Sequence, residues 1–367
     1  MKKIALFLTL ALLCAAMTGC AGTPVVYYTD CTCPVEAHEE APAATQAPVT
    51  TVPPAAPAAE GALKTGLAIT AGIGKSSSAA ADANGKADYD ITMVAVLVDD
   101  NGVIQDCIID GISESAEFDA AGAIVKALPE AIQTKNEKGP AYNMVAYGGA
   151  IAEWDAQAAA VAAFAIGKTA EQLRNGYIDE SGYAIDGTDL ATSATINLYN
   201  IAATIEAAAA NAQHLGAQSG DTLKLAVMAK DGGSKDATAE AAGVVQLDAD
   251  VTALTVKDGV ITSCVIDSVQ AKVPFDAAGA LTGDVSAPVQ TKNQLGEAYG
   301  MVAYAGAIAE WNEQAASFAA YVTGKTADEV AGIAITETTK PAEGTDLAAS
   351  VTISIGGFQA LIAKALA

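Results

Sequence analysis

Apolar positions fall into the same order of patterns twice along this 367-residue chain. Residues 62–71 and 222–228 are mainly apolar and each reads as a first strand. Residues 90–98 and 251–256 follow as a second strand, each running into a polar turn (Asp100-Asn101-Gly102 and Asp258-Gly259) and then another apolar run. Asn-Gly and Asp-Gly between strand-like segments are the strongest short-range hairpin signals. An irregular or short helical corner comes next, at Phe118–Gly122 and Phe275–Gly279. Ala-rich helical stretches cover 150–166 and 307–323, and Gly167 and Gly324 stand where a helix C-cap belongs. Thr169 and Thr326 then read as N-caps of another short helix, and 201–210 and 358–365 as closing helices. Strands and helices are segregated rather than alternating, so the expected class is α+β.

The doubled order is a doubled sequence. Residues 94–206 recur as 251–363 at an offset of 157, which maps Cys107 onto Cys264, Trp154 onto Trp311, Gly167 onto Gly324 and Thr195 onto Thr352; about half the aligned positions are identical. Solenoid units run roughly 20–50 residues, so a repeat of this length is a whole domain. The expected organisation is a domain over 62–212 and a second over 221–367, each long enough to bury a core of its own.

The N-terminus belongs to neither. Lys2-Lys3 and the apolar run from Ile4 to Ala16 read as a secretory signal, too short to span a bilayer as a mature helix. It closes on Met17-Thr18-Gly19-Cys20, which resembles a bacterial lipobox. That resemblance implies a signal peptide over 1–19 and lipidation of Cys20; the alternative is an ordinary signal cut nearby. Residues 20–61 are rich in Pro, Ala and Thr, a composition that cannot offset its ordering entropy. About 40 residues at ~3.1 Å each give a tether reaching roughly 120 Å at most.

Charge and composition exclude much chemistry. The net charge is −24, and loss of the signal, with its two lysines and no acid, makes the remainder more negative still. Such a polyanion repels nucleic-acid phosphates and gains nothing from anionic lipid headgroups. Arg174 is the only arginine, which counts against bidentate clamps for phosphate or carboxylate. Cys31 and Cys33 lie in the tether, as a strained local disulfide or as inert thiols. Cys107 and Cys264 fall in strand patterns and read as small core side chains. His38 and His214 are the only histidines and lie outside the repeated cores, so neither copy carries a Cys/His zinc set, a Ser-His-Asp set or a Cys-His pair.

Hydroxyls concentrate before each closing helix: Thr192, Ser193 and Thr195 in the first copy, Ser350 and Thr352 in the second. A position at or just before a helix start would offer free N–H groups and the positive end of the dipole to a phosphate. The same residues also serve as ordinary N-caps, and Asp189 and Asp346 disfavour a free phosphate there. A second repeated set is aromatic and thioether: Tyr142, Met144, Tyr147 and Trp154, recurring as Tyr299, Met301, Tyr304 and Trp311. It can flank a flat polarizable ring or pack a core. Lys135 and Asn136, with Lys292 and Asn293, read either as polar ligands or as residues capping a helix.

Asp189-Leu190-Ala191-Thr192-Ser193-Ala194-Thr195 resembles the flavinylation motif of the FMN-binding domain family, Asp-x-x-Ser/Thr-Gly-Ala-Thr. That family includes the flavin-carrying subunits of sodium-pumping quinone reductase and Rnf-type complexes. Asp189, Thr192, Ala194 and Thr195 match, and Ser193 replaces Gly. In the second copy Asp346 and Thr352 match, while Ala349, Ser350 and Val351 depart. The run 290–301 (QTKNQLGEAYGM), with Trp311 and the Gly324-Lys325-Thr326 turn, is similar to tandem-domain flavin lipoproteins of Gram-positive bacteria. The resemblance implies FMN joined through its phosphate to Thr195 and Thr352 by a flavin transferase. It also implies an electron carrier, exported and lipid-anchored to the outer face of the cell membrane in the cell-wall zone. There it would pass electrons from a membrane quinone pathway to extracellular acceptors, without a dedicated catalytic reaction. The competing expectations are FMN held noncovalently or in the first copy alone, and a non-redox surface module binding cell-wall or protein ligands.

Overall fold

The second strand of the first copy is apolar at both parities from Ile91 to Val98, so both of its faces need cover. The computed structural model, which describes residues 61–367, provides that cover from two sources. One sheet is the antiparallel series β1 (Lys64–Gly72), β2 (Gly85–Val98), β3 (Ile104–Phe118) and β4 (Ile124–Lys126). Helices follow in the order α1 (Lys135–Lys138), α2 (Met144–Gly148), α3 (Trp154–Ala165), α4 (Ala170–Tyr177), α5 (Asp189–Ser193) and α6 (Tyr199–Asn211). The second copy gives the antiparallel sheet β5 (Thr222–Asp231), β6 (Gly243–Lys257) and β7 (Val260–Phe275). Its helices are α7 (Lys292–Leu295), α8 (Met301–Ala305), α9 (Trp311–Val322), α10 (Ala327–Ala331) and α11 (Gly356–Leu366). The class is α+β.

Odd positions of β2 (Tyr89, Ile91, Met93, Ala95, Leu97) join Val245, Leu247, Ala249, Val251 and Ala253 of β6 in a core between the two sheets. Even positions (Val94, Val96, Val98) pack on the first copy's helices with Val161, Ile201 and Ile205. The second sheet covers its other face likewise with Phe318, Leu361 and Ile362. The result is four layers, helix–sheet–sheet–helix, in which the middle core belongs to both copies. Residues 61–367 accordingly fall within one compact unit.

Equivalent residues meet across an approximate two-fold axis. Phe118 and Phe275, related by the repeat, stack with ring centres 4.1 Å apart and planes 4° from parallel. Ile132 bridges to Ala229 at the edge of β5, and its counterpart Val289 bridges to Ala71 at the edge of β1. Ala79 N–H donates to Gly279 O while Ala237 N–H donates to Gly122 O, both at 2.8 Å. Each copy thus covers the other's open sheet edge, a protection that isolated sheets need. The buried Tyr89 hydroxyl donates across the same core to Val245 O at 2.9 Å. These contacts add a shared core to the helix-side core that each copy closes for itself.

Local expectations fare better. Thr169 and Thr326 cap α4 and α10 with full capping boxes, and Gly167 and Gly324 take positive φ after the long helices. The corners after Phe118 and Phe275 are turns built on Asp119 and Asp276, whose Oδ1 atoms each accept two backbone N–H groups. Cys107 and Cys264 are buried free thiols, their pKa values pushed up to about 12 by burial. The signal over 1–19, Cys20, Cys31, Cys33 and the rest of the tether through residue 60 lie outside the described residues. Among the described residues, no helix is long and apolar enough to cross a membrane.

Candidate functional site

Thr195 is not at a helix start. α5 ends at Ser193, Ala194 is already extended, and α6 begins only at Tyr199, so Thr195 lies in the link past a helix C-terminus. Asp189 occupies the exposed first turn of α5, where Thr188 Oγ1 caps Ala191 N–H. The hydroxyls of Thr192 and Ser193 fold back onto Asp189 O at 2.7 and 3.3 Å. In the second copy the turn is shorter: Asp346 precedes a 3-10 turn, Leu347–Ala349, and Ser350 ends it, donating to Leu347 O at 3.4 Å. Ala349 has no hydroxyl to repeat the bond of Thr192. Neither threonine therefore meets the positive end of a helix dipole.

A buried glutamine holds the link instead. Gln157, on α3 and fully buried, accepts through Oε1 from Thr195 N–H at 2.8 Å, Ile196 N–H at 3.2 Å and the Thr195 hydroxyl at 3.3 Å. Its Nε2 donates to Ala152 O at 2.7 Å. Gln314 repeats the arrangement with Thr352 N–H at 2.8 Å, Ile353 N–H and the Thr352 hydroxyl at 3.2 Å, and Ala309 O at 2.8 Å. One carboxamide thus ties the threonine to the segment before the long helix, twice over. Gln157 and Gln314 were visible in the sequence only as a repeated polar residue inside an apolar helical face.

The segment so tied displays apolar side chains to solvent. Val145, Tyr147 and Ile151 are exposed, as are Val302, Tyr304 and Ile308, with the tyrosines about nine-tenths accessible. The loop bearing them is fixed. Glu153 accepts from Met144 N–H at 2.8 Å and Val145 N–H at 3.1 Å, and Glu310 does the same for Met301 and Val302 at 2.8 and 3.0 Å. Exposed apolar groups on a fixed backbone, in two matching places, mark an interaction surface more than chance exposure does.

The remaining aromatic residues lie beneath it. Trp154 and Trp311 are buried in the helix-side cores, with Tyr142, Met144, Tyr299 and Met301 partly buried against them. Lys135 Nζ sits 4.9 Å from the Trp154 ring centre and 5.7 Å from that of Tyr142; Lys292 repeats this at 4.7 Å from Trp311 and 5.3 Å from Tyr299. Cation–π attraction of this kind strengthens as the cation is desolvated. Burial lowers the pKa of Lys292 from its ordinary value. The caps of α1 and α7 are Thr134 and Thr291, not the neighbouring Lys and Asn.

Asp110 and Asp267 anchor those short helices from the sheet. Each accepts from its own following N–H at 2.7 Å and from Asn136 N–H or Asn293 N–H at 3.1 and 3.0 Å. Burial pushes both pKa values up to about 6, with the hydrogen bonds pulling the other way. A carboxyl whose folded pKa exceeds its unfolded value, about 3.9, stabilises the fold below that lower value and loses the contribution as pH rises through 6. Hence the stability of Asp110→Asn or Asp267→Asn, relative to the parent, should rise between pH 4 and 7 by roughly 2–3 kcal/mol per group. Thermal melts at both pH values check this; a difference independent of pH would show that these carboxyls stay ionised in the fold.

The residues present fit a group attached through the threonine oxygen and do not fit a phosphate held by ion pairing. Thr195 is exposed and its backbone is fixed by the N–H groups of residues 195 and 196, both committed to Gln157; its hydroxyl proton, also donated to Gln157, would leave on esterification. Arg174, the only arginine, pairs with Glu206. Among the described residues, no group of His, Cys, Asp and Glu could hold a metal ion. No protein-family model, curated protein or solved structure matches the chain.

Proposed function

We propose that this chain is an exported, lipid-anchored electron carrier bearing FMN in phosphoester linkage to Thr195 and Thr352. The observation carrying this reading is the carboxamide of Gln157, and of Gln314, which joins the threonine to the end of the exposed apolar segment. A flavin attached at that oxygen has a fixed origin and an apolar surface nearby (Val145, Tyr147 and Ile151, or Val302, Tyr304 and Ile308) for its ring to lie against. When bound, the flavin supplies the redox chemistry. The chain's own residues hold the attachment point and shape the surface beside it. The lipobox-like Met17–Cys20 and the tether supply the anchor and the reach. The flavin transferase, the quinone-linked donor and the extracellular acceptors follow from the family resemblance together with this architecture.

The test is intact mass after export and co-expression with a flavin transferase. The chain should carry two FMN groups less two waters, and Thr195→Ala and Thr352→Ala should each remove one while leaving the melting temperature nearly unchanged. At limiting transferase, loading should favour Thr195, because its turn is a full α-helical one and the turn before Thr352 is not. A bare polypeptide mass under these conditions overturns the carrier and leaves the exposed tyrosine segments as docking sites of a non-redox surface module.

A further inference from the structure

The two-fold relation creates two seams, where the first strand of one copy meets the third strand and long helix of the other, and the seams differ. In one, Lys364 on α11 reaches across to pair with Glu137 on α1 and also donates to Val227 O on β5. Asp155, on the first turn of α3, stands in the corresponding place of that seam. In the other seam all three charges are gone: the equivalents of Lys364, Glu137 and Asp155 are Ala207, Gln294 and Asn312. Here a cavity of about 600 Å³ opens between β1 and the β7–α9 layer, within the range of small-molecule sites. The linker between the copies, which occurs once, walls it with Gln213 and Leu215.

We infer that this open seam binds an uncharged, flat, fused-ring heterocycle whose rim carries amide-type donors and acceptors. The lining contains no Lys, Arg or aromatic residue. An anionic ligand would be desolvated without a counter-charge, which is costly, and a sugar would find no ring to stack on. The only carboxylate in the lining, Asp267, is occupied by Ser268 N–H and Asn293 N–H, which leaves a cation little to bind. What remains is apolar wall and carboxamide. Leu67, Ile69 and Ile266 on the strands and Ala316, Ala319 and Ala320 on α9 line the cavity, and Asn211, Gln213, Gln294 and Asn312 supply uncharged hydrogen-bonding groups. Asn312, on the first turn of α9, adds a carboxamide to this wall where the closed seam has the carboxylate of Asp155. A neutral ring bearing a lactam or imide edge meets each of these conditions. This site is separate from the threonines, since Asn312, Ala316 and Ala319 line the seam while Gln314 turns to Thr352.

Fluorescence titration of the unflavinylated full-length chain with lumichrome, a neutral three-ring imide, tests the inference. Saturable binding at one site is expected, weakened at least tenfold by Asn312→Leu and by Ala316→Phe, and unaffected by Thr352→Ala. Because Ala316→Phe crowds the helix as well as the cavity, Ala207→Lys combined with Gln294→Glu provides a second route: it copies the charged pair of the closed seam and should abolish binding with the melting temperature retained. Absence of binding, binding indifferent to the seam variants, or binding lost in Thr352→Ala would each overturn the proposal. None of these outcomes depends on whether FMN is loaded.

Discussion

Fragments 62–212 and 221–367, expressed separately, should show no cooperative melting transition and should bind hydrophobic dyes, whereas the intact chain melts as one unit. The reason lies in the middle of the sandwich. Each fragment would expose one inner sheet face, including Tyr89, Ile91, Met93 and Phe118 in one case and Val245, Leu247, Val251 and Phe275 in the other. Burying one such side chain stabilises by about 1.5–3 kcal/mol, and net stabilities of domains are only about 5–15 kcal/mol, so losing half of a shared core is decisive. Each fragment would also lose the segment that caps its edge strand at Ala71 or Ala229. Calorimetry of the fragments, alone and mixed, checks this. A sharp two-state transition in either one alone would show that the helix-side core of one copy suffices, and mixing should restore part of the transition because the two inner faces are complementary.

The repeat, the hairpins, the long helices and the capping threonines were legible because they are local signals, set by turn chemistry and by periodicity within a few residues. The joint core was not, yet β2 carried its mark. Residues 91–98 are apolar at every position except Thr92, more than one helical layer requires, and the surplus is what the second sheet covers. The hydroxyl motif was found, but its neighbourhood was misjudged. Nothing within seven residues of Thr195 reveals that the helix before it stops at Ser193 and that its N–H groups go to a residue 38 positions earlier. A buried glutamine in an Ala-rich helix is the kind of signal that becomes readable only through its counterpart in the other copy.

That glutamine bears the second large effect. Gln157→Leu keeps the volume roughly but leaves Thr195 N–H, Ile196 N–H and Ala152 O without their partner. Each buried polar group left unpaired costs about 1–3 kcal/mol; with Ile196 buried and Thr195 exposed, a net loss of roughly 2–4 kcal/mol is expected. Loading at Thr195 should fall at the same time, with Thr352 unaffected, because the free link no longer presents one fixed oxygen to the transferase. Gln314→Leu should reverse the pattern. The comparison with Thr195→Ala separates presentation from stability: that variant removes an exposed hydroxyl and one flavin at little cost to the fold. Peptide mapping of FMN on the Gln157→Leu protein, held well below its lowered melting temperature, decides the matter. Undiminished occupancy of Thr195 would mean that the carboxamide serves the fold alone and that the transferase itself shapes the link it modifies.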